Sequence, residues 1–552
     1  MDIASVPKVI KVGSEKFIIA PLSESQRAHL RNELSKKKKK LDFSRIPLDD
    51  KKTWDLICSG LTKGVFQLEK TLGKRYCQEI KPRSINELSD VISLIRPGCL
   101  VGDFREKPDE PGEFSSITAT YIKIKNGDWA PEYIHECLEP ILRETHSVPI
   151  YQEQIMNICT EFAGFTLKEA DVMRKAVGKK IKSLMESLKQ KFIDGGVANG
   201  HKEAVGETIF GWIEAFSDYG FNKAHAVSYA DIGYKTAYAK AHYPLNFFKA
   251  MLENSSGKQD SMDEIQELVH EARLFNLEVR PPELQLANVD FGVTKDGAIT
   301  FGLAHIKGVG RGAIDSISSI SKVTKDTISF LSHALGEEGK ATKLKSNVAE
   351  ALIKSGSLDY LGYKRIKLLA EYKLLSILTD RERKFVFSQI EQTSCTVKQA
   401  YLDLLDSKIP NKSRRPRIIE AVDDMNRSLA GTPKKMCIAF EKFLLGIPLS
   451  GSIVELYYNE RVDIKCRDLH RLKEGAKGNI GVVIDKIREI KDKNGNRMAF
   501  LTVSDETYML DSVVVFASTY NNTAWILEEG RPVIIGGKKN KNSFIANKID
   551  HL

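Results

Sequence analysis

Apolar residues recur at three- and four-residue intervals through the first half of the chain, between Ile46 and Leu252. The pattern is clearest in Glu153–Phe162 and in Leu167–Val177. This spacing places apolar side chains on one face of an α-helix, and prolines and glycines separate the runs. The pattern therefore predicts a mainly helical domain over residues 46–252.

The helical pattern continues through the middle of the chain and changes to a strand pattern near its end. An amphipathic run, Met262–Phe275, opens a second unit, and residues 361–435 are charged and helical, with Lys408–Arg417 as an exposed connection. From Gly478 onward, short β-branched runs alternate with turn signals such as Asn494-Gly495. The predicted strands are Ile480–Ile484, Met498–Val503, Ser512–Phe516, Pro532–Ile535 and Phe544–Ile549. Five strands within about 75 residues fit a small barrel of the OB type.

With 552 residues, the chain is too long for one hydrophobic core. We predict a multidomain, mainly α-helical protein. Its predicted parts are a lead-in at 1–45, a helical domain at 46–252, a helix-hairpin-helix domain at 253–365, a helical connector at 366–475 and the barrel at 476–552. The lead-in contains five consecutive lysines, Lys36–Lys40. Such a run is a solvated helix end or linker, or it contacts phosphates.

The composition is that of an ordinary folded protein with a basic surface. Hydrophobic residues make up 42% of the chain and charged residues 28%, and the formal net charge is +10. A polyanionic partner such as nucleic acid is consistent with this charge. The eight cysteines are scattered without a Cys-x-x-Cys pair, which predicts reduced thiols in a cytoplasmic compartment and no metal site. No apolar run approaches the roughly 20 residues of a membrane span, so we expect no membrane partner.

A basic cluster, Arg174–Lys180, follows the predicted helix that begins after Thr166. On a helix, Lys175 and Lys179 lie one turn apart with Arg174 beside them, so the three could bind a triphosphate or a strand backbone. The alternative is a solvated basic helix end, which the helix dipole also favours.

A second cluster, Tyr219–His225, leads into a helix that runs to His242. It places Asn222, Lys223 and His225 near the helix start, followed by Tyr229. A helix N-terminus with additional donors is a natural anion site, and an aromatic ring offers a stacking surface. The alternative interpretation makes His225 and Tyr229 core residues.

Two further segments have the features of DNA contacts. The run Ile306–Gly310 fits the hairpin of a helix-hairpin-helix module, because its glycines let backbone amides approach a phosphate. By itself a Gly-x-Gly is usually only a turn. The first hairpin of the barrel is basic, although four basic residues around a turn also describe a solvated loop. The predicted DNA-binding residues are Lys307, Gly308, Gly310, Arg488, Lys491 and Arg497, with Lys493 in the same turn.

The run Gln399–Leu404 is similar to the Q-x-x-L-x-L peptides that dock into a sliding clamp. In that interpretation Gln399 forms hydrogen bonds at the rim of the clamp pocket while Leu402 and Leu404 fill a hydrophobic groove. The alternative is an amphipathic helix packed against its own protein.

Seven segments, in order, resemble signature segments of the bacterial DNA polymerase III alpha subunit, a C-family replicative DNA polymerase. They are Ile46–Asp50, Gly64–Glu69, Arg96–Gly98, Tyr151–Gln154, Arg174–Lys180, Tyr219–His225 and Lys240–Pro244. The similarity continues through Ile306–Gly310, Leu352–Gly356, Glu441-Lys442, Leu444–Gly451 and the barrel.

The resemblance implies that residues 46–252 are a fingers domain that contacts the incoming nucleotide. Arg174 and Lys175 would then face the triphosphate, with Lys179, Asn222, Lys223 and His225 supporting the pocket. The family usually has a second arginine where this chain has Lys175, which keeps the charge but loses the bidentate fork. The acidic stretch within Cys99–Gly112 has no counterpart in the usual sequence.

The family's catalytic carboxylates come from an Asp-x-Asp pair and a third aspartate on palm strands, which hold two metal ions. No Asp-x-Asp occurs in this sequence, and Asp2 is the one residue that faintly resembles the third carboxylate. We therefore expect half of a split polymerase that uses dNTPs, with Mg²⁺ bound mainly by a palm-bearing partner chain. Its other expected partners are a primer-template and a sliding clamp. The alternative is a non-catalytic protein, derived from a polymerase, that binds DNA or the clamp.

Overall fold

The computed structural model describes residues 8–12, 15–19, 41–101, 104–108, 110–179, 181–216, 220–257, 260–336, 344–429, 433–457, 460–540 and 543–552. The chain divides into two compact units, residues 1–48 and residues 49–552. In the first unit, strands β1 (Lys8–Val12) and β2 (Glu15–Ile19) form an antiparallel hairpin with Ile10 opposite Phe17. Asp2 and Lys36–Lys40 lie outside the described residues.

The second unit begins with a helical region, as the apolar periodicity predicts. Its helices are Lys51–Ser59, Thr71–Ile80, Ile85–Leu94, Pro97–Leu100, Ile117–Lys125, Glu139–Leu142, Gln152–Ala163, Leu167–Gly178, Lys182–Ala198, Glu203–Phe216, Lys223–His242 and Pro244–Glu253. Strands β3 (Arg105–Lys107) and β4 (Glu110–Ser115) form a hairpin within the acidic stretch that the family resemblance did not cover.

The 20-residue helix Lys223–His242 packs against helices Ile85–Leu94 and Lys51–Ser59. Its buried face is made largely of small residues, so neighbouring backbones approach closely. A Cβ added at Gly233 would lie 3.2 Å from the carbonyl oxygen of Phe66. Pro244 starts the next helix at the point where this one ends, because proline fits the first helical turn but not a helix interior.

The middle region is also helical and shares one continuous core that runs from Phe248 to Ile447. Its helices are Ser261–Leu274, Ile314–Val323, Thr327–Ala334, Ser346–Lys354, Arg365–Ser376, Asp380–Thr393, Val397–Asp406, Arg415–Leu429, Pro433–Leu445 and Ile453–Leu456. Strands β5 (Val279–Arg280), β6 (Gly292–Val293) and β7 (Ile299–Thr300) form a small sheet in the order β5-β7-β6. The core contains side chains from both the predicted helix-hairpin-helix domain and the predicted connector, and the domain boundaries stay predictions.

Part of the predicted exposed connection Lys408–Arg417 is fixed to its own protein. Arg414 donates to Glu382 at 2.9 and 2.7 Å and to the Ile377 carbonyl at 2.9 Å. Arg415 donates to the Ser407 carbonyl at 2.6 Å. Sequence reasoning took the basic stretch as solvated as a whole, whereas these two guanidinium groups stabilise the turn before helix Arg415–Leu429.

The C-terminal region is a closed five-stranded barrel, which confirms the predicted fold class. Its strands are β8 (Lys477–Lys491), β9 (Arg497–Ser504), β10 (Met509–Val515), β11 (Pro532–Asn540) and β12 (Ser543–His551). They pair in the order β10-β12-β11-β8-β9. β10 runs parallel to β12 and the other pairs are antiparallel. Alternate strand residues fill the interior, and helix Ala517–Thr523 connects β10 to β11.

No helix in the part of the chain that the structure describes is long and apolar enough to cross a membrane.

Candidate nucleotide- and DNA-binding sites

The basic cluster at the end of helix Leu167–Gly178 is held by a carboxylate one turn before it. Arg174 donates from Nε and Nη2 to Asp171 Oδ1, at 3.0 and 2.8 Å, and Lys175 Nζ lies 2.6 Å from Asp171 Oδ2. Hydrogen bonds from Lys175 and then Arg174 lower the pKa of the Asp171 carboxyl. The side chains of Arg174 and Lys175 are 31% and 54% exposed, so both cations lie side by side within reach of an anion from solvent.

A capping box determines where this helix begins. Glu169 Oε2 accepts from the Thr166 amide at 2.9 Å, and Thr166 Oγ1 accepts from the Glu169 amide at 3.4 Å. At the other end, exposed Lys179 follows the last helical residue, and its amide donates to the Lys175 carbonyl at 3.0 Å. The predicted one-turn relationship between Lys175 and Lys179 is therefore present.

Asn222 and Lys223 form the start of helix Lys223–His242, as predicted. Asn222 Oδ1 caps the helix by accepting from the His225 amide at 2.8 Å. Glu153 accepts from Asn222 Nδ2 at 2.8 Å and from the Lys223 amide at 3.0 Å. Lys223 Nζ also lies 2.9 Å from Glu144 Oε2. An acidic group thus already lies at this helix N-terminus, where the dipole favours negative charge.

His225 and Tyr229 lie on the surface side of the same helix turn. Their ring centroids are 4.0 Å apart, and Phe221 lies 5.6 Å from His225 on the other side. His225 is exposed and Tyr229 is half-buried. The core interpretation is therefore wrong for His225, whereas half-buried Tyr229 also packs against the Phe66 ring, with the two ring centroids 5.1 Å apart.

Residues 150–153, which lead into the first turn of helix Gln152–Ala163, join the two basic clusters. The Gln152 amide donates to the Phe221 carbonyl at 2.8 Å, and the Phe221 amide donates to the Ile150 carbonyl at 3.1 Å. The Gln152 side chain accepts from Arg174 Nη1 at 3.4 Å. Gln152 thus contacts Arg174 of the first cluster, and its neighbour Glu153 contacts Lys223 of the second. Arg174 and Lys223 therefore lie on either side of residues 150–153.

A buried carboxyl anchors this segment from below. Asp90 accepts from Tyr151 at 2.5 Å and from Tyr121 at 2.7 Å. All three side chains are buried, and desolvation raises the pKa of Asp90 to about 6. Gln154 adds a second anchor by accepting from the Ile150 and Tyr151 amides at 2.8 and 2.9 Å.

Sequence reasoning missed the acidic partners of these basic residues. It took Tyr151–Gln154 only as a family signature, although Gln152 and Glu153 connect Arg174 with Asn222. Asp171 had a local signal, because a carboxylate three residues before an arginine on a helix forms an ion pair. Asp90 lies in an apolar helix with no local sign of its role.

The predicted hairpin Ile306–Gly310 has the geometry that a backbone phosphate contact requires. Ile306 and Val309 are buried and anchor it, while Gly308 adopts φ +89° and is exposed. Cβ atoms added at Gly308 or Gly310 would meet nothing within 4 Å. A cavity of about 360 Å³ adjoins these glycines. Gly312 and Ala313, in the following helical turn, also line this cavity.

The first barrel hairpin presents its basic residues to solvent. Arg488, Lys491 and Arg497 are exposed, and so is Lys493 in the connecting turn. Lys491 lies directly opposite Arg497 in the β8–β9 ladder. Like charges in this position repel each other, so a bound anion would relieve the repulsion.

The structure favours the alternative interpretation of the Gln399–Leu404 segment. It forms most of helix Val397–Asp406, in which Leu404 is fully buried in the middle-region core and Leu402 is half-buried. Gln399 is exposed and donates to Asp403 at 2.9 Å. A docking peptide must insert both Leu402 and Leu404 into the clamp groove. Leu404 could do so only if this helix separated from the core. Clamp binding here stays a prediction.

Within the described residues, no group of three or more histidine, cysteine or acidic side chains is placed to hold a metal ion. These residues do not fit a two-metal centre, so we derive no catalytic step through Mg²⁺ from them. The basic residues around Gln152 fit the phosphates of a nucleotide, which need donors rather than carboxylates.

Comparison with known proteins gives two matched family regions and several relatives. Residues 28–200 match the bacterial DNA polymerase III alpha subunit finger domain, and residues 276–368 match a helix-hairpin-helix motif. The chain is 33% identical over 505 residues to the DNA polymerase III subunit alpha of Aquifex aeolicus, covering 90% of this chain and 38% of the relative. The corresponding Thermus aquaticus protein is 32% identical over 511 residues, with 90% and 38% covered. The Bacillus subtilis protein is 30% identical over 519 residues, with 93% and 42% covered.

The chain thus matches a finger domain and a helix-hairpin-helix motif, and it contains a five-stranded barrel. Along 90% of its length it is similar to a region of the alpha subunit of C-family DNA polymerases. The chain spans about two fifths of the length of the relatives described above.

Proposed function

We propose that the chain is the nucleotide- and DNA-binding part of a DNA-directed DNA polymerase used in replication. The observation that carries the proposal is the meeting of Arg174 and Lys223 at one segment, where Gln152 accepts from the first and Glu153 accepts from the backbone amide of the second. Both lie in helices of the mainly helical first region, and Arg174 falls within the finger-domain match. The triphosphate of a dNTP would compete with Asp171 and Glu144 for these donors.

Two surfaces would hold the DNA in this proposal. The hairpin with Gly308 and Gly310 would bind backbone phosphates without reading sequence. The basic barrel hairpin, with Lys491 and Arg497, would follow a single strand. Contacts of this kind go to the sugar-phosphate backbone, which carries no sequence information. We therefore expect DNA binding that is strongly salt-dependent and indifferent to sequence.

The catalytic carboxylates would come from another polypeptide. The sequence has no Asp-x-Asp pair, and two-metal nucleotidyl transfer requires carboxylates in fixed geometry. We propose that a separate palm-bearing chain supplies them and binds Mg²⁺, while this chain binds and orients the dNTP and the primer-template.

Primer extension tests the proposal. The purified chain should incorporate no nucleotide alone, and activity should appear on mixing with a palm-bearing polypeptide from the same source. A copy of that polypeptide with its Asp-x-Asp changed to Asn-x-Asn is the matched control, which should bind this chain but stay inactive. Extension by this chain alone would show that the carboxylates are misassigned. Failure of the palm-bearing polypeptide to bind would favour the non-catalytic alternative.

A further inference from the structure

The middle region presents an exposed aromatic ring beside the hairpin that is proposed to bind DNA. Phe443, on helix Pro433–Leu445, is 64% exposed. The ammonium of Lys307 lies 4.3 Å from the centre of its ring. The Lys307 amide also donates to the Leu444 carbonyl at 2.9 Å, so the hairpin backbone is attached to this helix. A strand that reaches Lys307 must therefore also reach Phe443.

The same helix is connected to the barrel. Lys442 Nζ lies 2.9 Å from Asp485 on strand β8 and 2.8 Å from Gln266 Oε1. Lys486, the next residue of β8, forms a 2.5 Å ion pair with Asp263. Phe443 consequently lies on the helix that contacts both the hairpin and the barrel. Among the described residues, Phe443 combines an exposed aromatic ring with a contact to Lys307, a lysine that we predict to bind DNA.

A cavity of about 680 Å³ opens beside the ring. Its lining includes Lys307, Lys442 and Lys486. This volume is within the range of about 300–1,000 Å³ that small-ligand pockets have, so the cavity is large enough for a nucleotide. The cavity also contains carboxylates. Five of them lie within ion-pair distance of a lysine, which reduces their repulsion of a phosphate: Asp263, Glu264, Glu267, Asp485 and Asp511.

We propose that Phe443 is a stacking platform for an unpaired base of single-stranded DNA that passes from the hairpin to the barrel. The aromatic ring would stack on the base while Lys307 binds the adjoining phosphate. A base inside a duplex is stacked on both faces and has none free for this contact, so the site would favour single-stranded DNA. The inference rests on the proposed DNA-binding function and adds a residue and a strand preference to it.

The test measures binding of the full chain to a single-stranded oligonucleotide and to a blunt duplex, at several salt concentrations. Phe443→Ala should weaken single-strand binding by about fivefold or more and leave duplex binding unchanged. Its salt dependence should match that of the wild type, since no charge is lost. Lys307→Ala should instead reduce the salt slope by about one. Phe443→Tyr, which keeps the ring, should restore binding.

Phe114→Ala is the matched control, because Phe114 is also an exposed phenylalanine, at 48%, but lies on the β3–β4 hairpin. It should bind like the wild type. Unchanged single-strand binding by Phe443→Ala, with Lys307→Ala weakened, would overturn this inference and leave the DNA-binding function intact. Equal weakening for single strand and duplex would also overturn it. Absence of DNA binding by the wild type would contradict the proposed function itself.

Discussion

Replacing Arg174 with alanine should weaken binding of a triphosphate to the chain. The change removes a guanidinium that is 31% exposed and lies beside Lys175, Gln152 and the segment that contacts Lys223. A hydrogen bond between charged groups contributes about 1.5–3 kcal/mol. To bind the triphosphate, Arg174 must give up its ion pair with Asp171. That pair is partly solvent-exposed and therefore weak, so breaking it subtracts little from the contribution of Arg174 to binding. Partial exposure favours the lower part of the range, about 1.5–2 kcal/mol, which corresponds to a dissociation constant about 10- to 30-fold higher.

Equilibrium titration of the full chain with a fluorescent dNTP, with inorganic tripolyphosphate as competitor, measures this effect directly. Arg427→Ala is the matched control, because Arg427 forms the same i,i+3 ion pair, with Asp424, on a helix outside this site. It should bind the nucleotide like the wild type. Arg174→Lys should recover part of the affinity, since it keeps the charge without the fork. An unchanged dissociation constant for Arg174→Ala would remove Arg174 from the nucleotide site.

Three further predictions follow from the structure. Because the pKa of Asp90 is raised to about 6, the folded form holds more protons than the unfolded form between about pH 4 and 6, and stability should fall as pH rises through this range. Asp90→Asn should remove this fall. The free energy of unfolding of the variant minus that of the wild type, measured by urea denaturation, should therefore be larger at pH 7.5 than at pH 4.5, by about 3 kcal/mol at most. The same difference at both pH values would contradict the prediction. Changing both Lys491 and Arg497 to alanine should reduce the salt slope of single-strand binding by about 1.4, at about 0.7 per phosphate contact, which a titration over several salt concentrations checks. Leu404→Ala should lower the free energy of unfolding by about 2–5 kcal/mol, whereas Gln399→Ala should change it little, and a sliding-clamp pull-down with Gln399→Ala tests the clamp interpretation separately.

Much of the architecture could be predicted from local pattern. The apolar periodicity located helices Gln152–Ala163 and Leu167–Gly178 within a few residues of their observed ends, and alternation with turn signals located the five barrel strands. These features depend on neighbours one turn or one strand residue apart, which the sequence displays directly. The exposed glycine at Gly308 was predictable for the same reason, since its positive φ favours a residue without a side chain.

The arrangement of the sites depended on contacts between distant parts of the chain. Arg174 meets Gln152, Lys223 meets Glu144 and Lys307 meets Phe443, and no local periodicity encodes such pairs. The motif at Gln399–Leu404 shows the same limit, because the sequence allows both an exposed peptide and a packed helix. In the folded chain Leu404 is buried in the core, which favours the packed helix. The sequence by itself thus determined the helices, the barrel strands and the residue types available for phosphate binding, while long-range packing decided which of them lie together and which remain exposed.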